Sequence, residues 1–176
     1  MGVSEFDDAY EDDPTRRERE EQRLGAAILD SPIRALEPRP AIAVAETTTI
    51  EDAVRLMLES EVGALLVTRG EHPVGIFTER DVLRRVVGAR VPLSQPVASV
   101  MTAAPETLGL DDGIAFALNR MIVRGFRHIP ILDAAGHARA VLSLREVVHF
   151  IVSLLPSRVL NLPPEPDLEA RSADGG

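Results

Sequence analysis

Gly75-Ile76-Phe77-Thr78-Glu79-Arg80-Asp81 returns 65 residues later as Ala140-Val141-Leu142-Ser143-Leu144-Arg145-Glu146. Each copy is a short apolar run followed by a hydroxyl, one intervening residue, an arginine and a carboxylate. Self-similarity at a fixed period means that one supersecondary unit was used twice and stacked on itself, so the repeat governs fold and site together. The likeness runs outward from the motif. Ile50, Ala53, Val54 and Met57 follow the i, i+3, i+4, i+7 spacing of an amphipathic helix, and Ile114, Ala117, Leu118 and Met121 repeat it 64 residues on. Thr49 stands before the first as an N-cap, with Asp111 and Asp112 before the second. An apolar strand follows each helix, at 64–67 and 129–132, then a turn at 69–73 or 133–137, then a second strand ending in the hydroxyl motif. The offset slips from 64 to 65 inside that turn, where an added residue costs little. A second helix leaves each motif, at 81–87 and 146–155, and a short lead-in strand opens each half, at 41–44 and at Thr107 and Leu108. A half of about 60 residues buries little surface alone, so the two sheets are predicted to pack together and leave a cleft between them.

Composition narrows the function. The 176 residues are 45% apolar but only 3% aromatic with no Trp, so Val, Leu, Ile, Ala and Met must build the core and no stacking platform for single-stranded nucleic acid is visible. The net charge of −9 sits at the ends. Residues 1–22 hold nine acids and three arginines and residues 163–176 hold four acids and one arginine, which leaves 15 of each between them. A formally neutral body with acidic tails lacks the basic footprint of a nucleic-acid binder and opposes anionic membranes. Absence of Cys excludes disulfides, thiolate metal sites and cysteine nucleophiles; absence of Lys excludes Schiff-base chemistry and the P-loop lysine. The acidic N-terminus is not a secretory signal, and the greasiest stretch, 147–155, is far short of the roughly 20 residues a membrane span needs. A cytoplasmic protein is expected. Both ends read as disordered, with a short helix within residues 20–29 where Leu24, Ala27 and Ile28 recur. The apolar helix bearing Val147, Val148, Ile151 and Val152 reads as interior packing, a dimer face, or both.

The motif admits two readings. Thr78-x-x-Asp81 and Ser143-x-x-Glu146 have capping-box spacing, in which the hydroxyl accepts an N–H of the first helical turn and the carboxylate reaches back to the cap's own N–H. The same geometry suits a nucleotide: N–H groups and a hydroxyl at a helix start hold phosphate, and a carboxylate one turn on accepts both hydrogens of a ribose diol. Arg80 and Arg145 could add phosphate charge, or simply be solvated. His72 and His137 occupy equivalent turns, but with few acids nearby and no Cys a metal pair is not expected.

These segments, together with Ser99-Val100-Met101-Thr102 opening the second unit and Arg127-His128-Ile129-Pro130-Ile131-Leu132-Asp133 within it, resemble a tandem pair of cystathionine-beta-synthase (CBS) domains, the Bateman module, over roughly residues 31–155. The resemblance implies an α+β fold of two CBS units, each a βαββα repeat, packed side by side by their sheets and dimerising into a disc. With the ends read from composition, the chain divides into an acidic tail (1–22), a short helix or linker (23–31), a first unit (32–91), a second unit (92–156) and a Pro-rich acidic tail (157–176). It also implies clefts for adenosine-containing ligands such as AMP, ADP, ATP or S-adenosylmethionine. The first cleft would draw on Asp81 for the ribose, Thr78 and Arg80 for phosphate and Ile76 for the base, completed by Phe126, Arg127 and His128. The second would use Val141, Ser143 and Glu146, closed by Ile42, Val62 and Gly63. Ala140 in place of Gly and Glu146 in place of Asp depart from the family's pattern in that second cleft, and Glu is also the favoured capping partner.

A regulatory ligand-sensing module is therefore the leading expectation, acting as a homodimer on a protein effector the sequence does not identify, and needing no cofactor. The alternative is a dimerising adaptor without a small-molecule ligand, its motifs serving only as caps. An enzyme is the least supported class, since no hydroxyl, imidazole and carboxylate stand at a recognisable catalytic spacing.

Overall fold

The computed structural model describes residues 30–70 and 72–154 together with Gly25; both expected tails and most of the expected helix within 20–29 lie outside these residues. In the first half, β1 (Ala43–Ala45) leads through α1 (Ile50–Glu59) to β2 (Ala64–Arg69), β3 (His72–Thr78) and a short turn of helix, α2 (Glu79–Asp81), which continues as a π-helix (Val82–Val87). Its counterpart runs β5 (Leu108–Gly109), α3 (Ile114–Arg124), β6 (His128–Leu132), β7 (Ala138–Ser143) and α4 (Leu144–Leu154). A two-residue strand, β4 (Thr102–Ala103), lies between them, and 3-10 turns sit at Ile33–Leu36 and Val97–Ser99. The architecture is the expected α+β duplication.

Local chemistry accounts for these elements. Thr49 caps α1, its hydroxyl oxygen accepting the Asp52 N–H at 3.1 Å, and the helix buries the stripe Ile50, Ala53 and Met57. Ile114, Ala117 and Met121 are the buried stripe of α3. The aspartate caps expected for α3 do not form. Gly113 is its N-cap, and Asp112 instead accepts the Gly109 N–H at 2.7 Å, because β5 ends three residues earlier and leaves that donor within reach. In the second hairpin Asp133 Oδ1 accepts the Ala135 and His137 N–H groups, both at 2.9 Å, and Gly136 takes φ +83°, a conformation that favours glycine.

Each half is completed by the other. The first sheet orders as β1-β2-β3-β4, with β1 parallel to β2, which requires the α1 crossover, and the remaining pairs antiparallel. β4 precedes the second half in sequence yet pairs with β3, Ala103 opposite Gly75 and Thr102 opposite Ile76. Reciprocally, Pro40 bridges to Ala140 of β7, beside a bond from the Ala41 N–H to the Arg139 carbonyl. The 3-10 turns cross over in the same manner. Ile33 inserts into the second half's core among Leu108, Ile114, Ile129 and Leu142, while Val97 and Val100 insert into the first half's core beside Ile50, Leu65 and Phe77. Matching bonds fix both insertions: Ile33 N–H to the Asp112 carbonyl (2.8 Å), and Val97 N–H to the Thr48 carbonyl (2.7 Å).

The exchange explains one sequence difference between the halves. A Cβ at Gly75 would meet the Met101 side chain of the crossing segment, which would have to shift to admit it. The corresponding methyl of Ala140 faces the second core instead and is buried in it, not poised on a ligand path.

Candidate functional site

Both capping boxes form. Asp81 Oδ2 accepts the Thr78 N–H (3.0 Å) and hydroxyl (2.7 Å), while Thr78 Oγ1 lies 3.4 Å from the Asp81 nitrogen. Glu146 Oε2 makes the same pair of contacts to Ser143, each at 2.7 Å, with the Glu146 N–H donating to Ser143 Oγ at 3.2 Å. Each acid therefore folds back on its own main chain, as the capping reading expects.

The two acids differ in what they do with the other oxygen. Asp81 is the one buried charged side chain among the described residues, 6% exposed. With Oδ2 committed to the cap, its Oδ1 has only loose neighbours: Thr102 Oγ1 at 3.5 Å and an Arg85 nitrogen at 3.4 Å. Both distances exceed a good hydrogen bond, so Oδ1 retains accepting capacity. Asp81, Thr102 and Arg85 together border a cavity of about 330 Å³. Capping and ligand contact are thus divided between two atoms of one carboxylate.

The cavity lies between the halves. Ile76, Thr78, Arg80 and Asp81 contribute from the first, and Phe126, Arg127 and His128 from the second, so the residues that the family resemblance gives to the first cleft border one cavity. Arg80 also spans the gap, donating to the Gly125 carbonyl at the C-cap of α3. Thr78 gives its hydroxyl hydrogen to Asp81, so a phosphate contact there requires the box to open. Burial pushes the His128 imidazole below its ordinary pKa, partly offset by the Glu79 carboxylate, and the ring accordingly favours its neutral form.

Gly63, expected at the Glu146 cleft, borders the Asp81 cavity. The Glu79 N–H bonds to the Gly63 carbonyl at 3.2 Å, which ties this glycine to the start of α2, and a Cβ on it would stand 3.1 Å from His128 Nε2. Ile42, Val62, Val141, Ser143 and Glu146 do not line this cavity, nor a more open one of about 350 Å³ bordered by Ala41, Leu66, Thr68, His137 and Arg139. Sequence reasoning missed Glu79, Arg84, Arg85, Thr102, Pro105 and Glu106, which also line the Asp81 cavity. Glu79, Arg84 and Arg85 flank Asp81 on the same helical path and were within reach of an i±4 argument; Thr102, Pro105 and Glu106 arrive by the crossing segment, which carries no periodic signal. Among the described residues no group of three His, Asp or Glu side chains is placed to hold a metal ion, and no helix is long and apolar enough to cross a membrane.

Comparison with known proteins matches this arrangement. The CBS domain signature fits twice, at residues 33–88 and 97–153. A CBS domain-containing protein of Arabidopsis thaliana, CBSCBSPB3, is 32% identical over 113 residues, which is 64% of this chain and 20% of that protein. The chain spans about a fifth of the length of the curated relatives it first matches. Among solved structures, a CBS domain protein from Pyrobaculum aerophilum complexed with AMP is 26% identical with a TM-score of 0.64, over 72% of this chain and 99% of that one. An uncharacterized conserved protein from Pyrococcus horikoshii is 27% identical with a TM-score of 0.65, over 70% of this chain and 93% of that one. With both repeats matched and the paired sheets reproduced, the chain belongs to the CBS domain family as a tandem CBS pair.

Proposed function

We propose that the protein is a regulatory module that binds an adenosine-containing ligand in the Asp81 cavity and passes the bound state to a protein effector by conformational change. The observation that carries this reading is the division of Asp81: Oδ2 satisfies the helix cap while Oδ1, loosely held, borders a gap of about 330 Å³ between the halves. A ribose diol supplies two donors to such an acceptor, and a charge-assisted bond of this kind is stronger than a neutral one. Ile76 and Phe126 offer apolar walls for a base, while Arg84 and Arg127 supply cationic charge for phosphate. The AMP complex of the Pyrobaculum aerophilum relative supports the ligand class. A thermal-shift panel of AMP, ADP, ATP, S-adenosylmethionine, NADH and cyclic dinucleotides tests it. A ligand at 100 times its dissociation constant adds about 2.7 kcal/mol of stability, so at least one adenosine compound is expected to raise Tm clearly, and no shift from any would leave only the adaptor reading. Glu146, whose carboxylate caps its helix and lines neither described cavity, is assigned a structural role.

The same reading includes a homodimer. Leu58, Leu83 and Val87 are strongly exposed in the first half, and Ile122 and Val148 repeat the Leu58 and Leu83 positions in the second. Val147 of α4 is buried and Ile151 packs on the core while Val148 faces out, so this helix serves the interior and an outer face together. Duplicated apolar patches of this kind suit a self-complementary contact. Sedimentation equilibrium is expected to return twice the chain mass, and the mass of a single chain would remove the dimer from the proposal.

A further inference from the structure

Arg85 follows Asp81 by one helical turn, and its guanidinium reaches three acceptors at once. Its Nη1 lies 3.1 Å from the Val100 carbonyl, 2.5 Å from the Met101 carbonyl and 3.4 Å from Asp81 Oδ1. The two carbonyls belong to the crossing segment that enters β4, and the next residue, Thr102, points its hydroxyl at the same carboxylate oxygen. One arginine thus joins the acid on the first half's helix to the wall built by the crossing strand. A buried carboxylate needs a compensating charge, and Asp81 finds it here. Among the described residues the second half shows no such link, and the residue four after Glu146 is Phe150, packed against the core.

We propose that Arg85 is a positioning residue of the Asp81 cavity: it anchors the Val100–Thr102 wall beside the acid and sets its charge 3.4 Å from Asp81 Oδ1, near enough to attract the carboxylate and too far to use up its accepting capacity, so that a ligand's uncharged hydroxyls meet an acceptor already facing the cavity, and it does not serve as the phosphate contact. This inference rests on the nucleotide reading above. One guanidinium nitrogen faces all three acceptors: its two hydrogens serve the Val100 and Met101 carbonyls, and its positive charge acts on the carboxylate beside them. Holding the acceptor in place before the ligand arrives spares the cost of ordering it on binding. Arg84 supplies the contrast. It lines the same cavity and makes no ion pair with the described residues, which leaves its charge available to phosphate.

Calorimetric titration of the full chain with adenosine and with AMP separates the two roles. Arg85→Gln is expected to weaken both ligands by the same factor, about tenfold, whereas Arg84→Gln should weaken AMP and leave adenosine unchanged. Amide exchange gives a readout that needs no ligand. The Ala104 N–H, bonded to the Val74 carbonyl at 3.1 Å where β4 meets β3, is expected to exchange about tenfold faster in Arg85→Gln, while the Leu66 N–H, bonded to the Ile42 carbonyl at 2.9 Å, keeps its protection. A loss confined to AMP, or an unchanged Ala104 rate, would overturn the assignment. If the unaltered protein binds neither adenosine nor AMP, the nucleotide reading falls, and the Ala104 rate alone then upholds or overturns the positioning role.

Discussion

Asp81→Ala is expected to cut AMP affinity by roughly a hundredfold while costing the fold only about 1 kcal/mol. The two figures follow from the two oxygens. Losing Oδ2 removes half of a capping box, which is a local matter at a helix start. Losing Oδ1 removes the charged acceptor for two ligand hydroxyls, each such bond being worth about 1.5–3 kcal/mol when an ionised partner is involved. Glu146→Ala is the matched control, since it deletes an equivalent box at a residue that does not line the cavity. Denaturant unfolding should report a similar small loss for both variants, and calorimetry a loss of AMP binding for Asp81→Ala alone. Equal AMP binding by the two would mean that both carboxylates are only caps.

Ile33→Ala carries the largest expected effect on stability, about 2–5 kcal/mol. Its side chain is fully buried, yet it belongs to the core of the second half, among Leu108, Ile114 and Ile129. Truncation leaves a cavity there, and the surrounding strands relax only partly because they are tied by the Ile33 N–H to Asp112 and the Arg34 N–H to the Leu110 carbonyl. Amide protection should fall first across the β5–β6 pair, where Leu108 faces Ile131 and Gly109 faces Leu132. A loss under about 0.5 kcal/mol, the range of ordinary surface changes, or one confined to the β1–β2 pair, would contradict the exchange of lead-in segments.

Local pattern carried much of the fold. The stripes Ile50-Ala53-Met57 and Ile114-Ala117-Met121 are buried as their spacing dictates, and the hydroxyl motifs do sit at strand-to-helix junctions. Periodicity reports one face of one element, so it could not reveal that the 3-10 turn at Ile33–Leu36 docks on the far half. The helix after Asp81 also departs from the expected form. Its π-helical stretch places Gly88 N–H on the Leu83 carbonyl at 3.0 Å, a five-residue closure with no distinctive apolar spacing. Asp81 itself was legible because its role is local, whereas Thr102 reaches the same cavity through a partner strand 21 residues away. The family resemblance puts Gly63 at the second cleft, and no sequence pattern shows that its carbonyl is held by the Glu79 N–H, at the Asp81 end.

The claim on which the account turns is that a ligand's ribose meets the free oxygen of Asp81 between the two halves. A crystal structure of the protein grown with AMP tests it most directly. The account predicts the ribose hydroxyls within about 3 Å of Asp81 Oδ1, with Thr78 still bonded to Oδ2 and the base against Ile76. AMP bound elsewhere on the molecule, or seated in the cavity with its ribose turned away from Asp81, would contradict it.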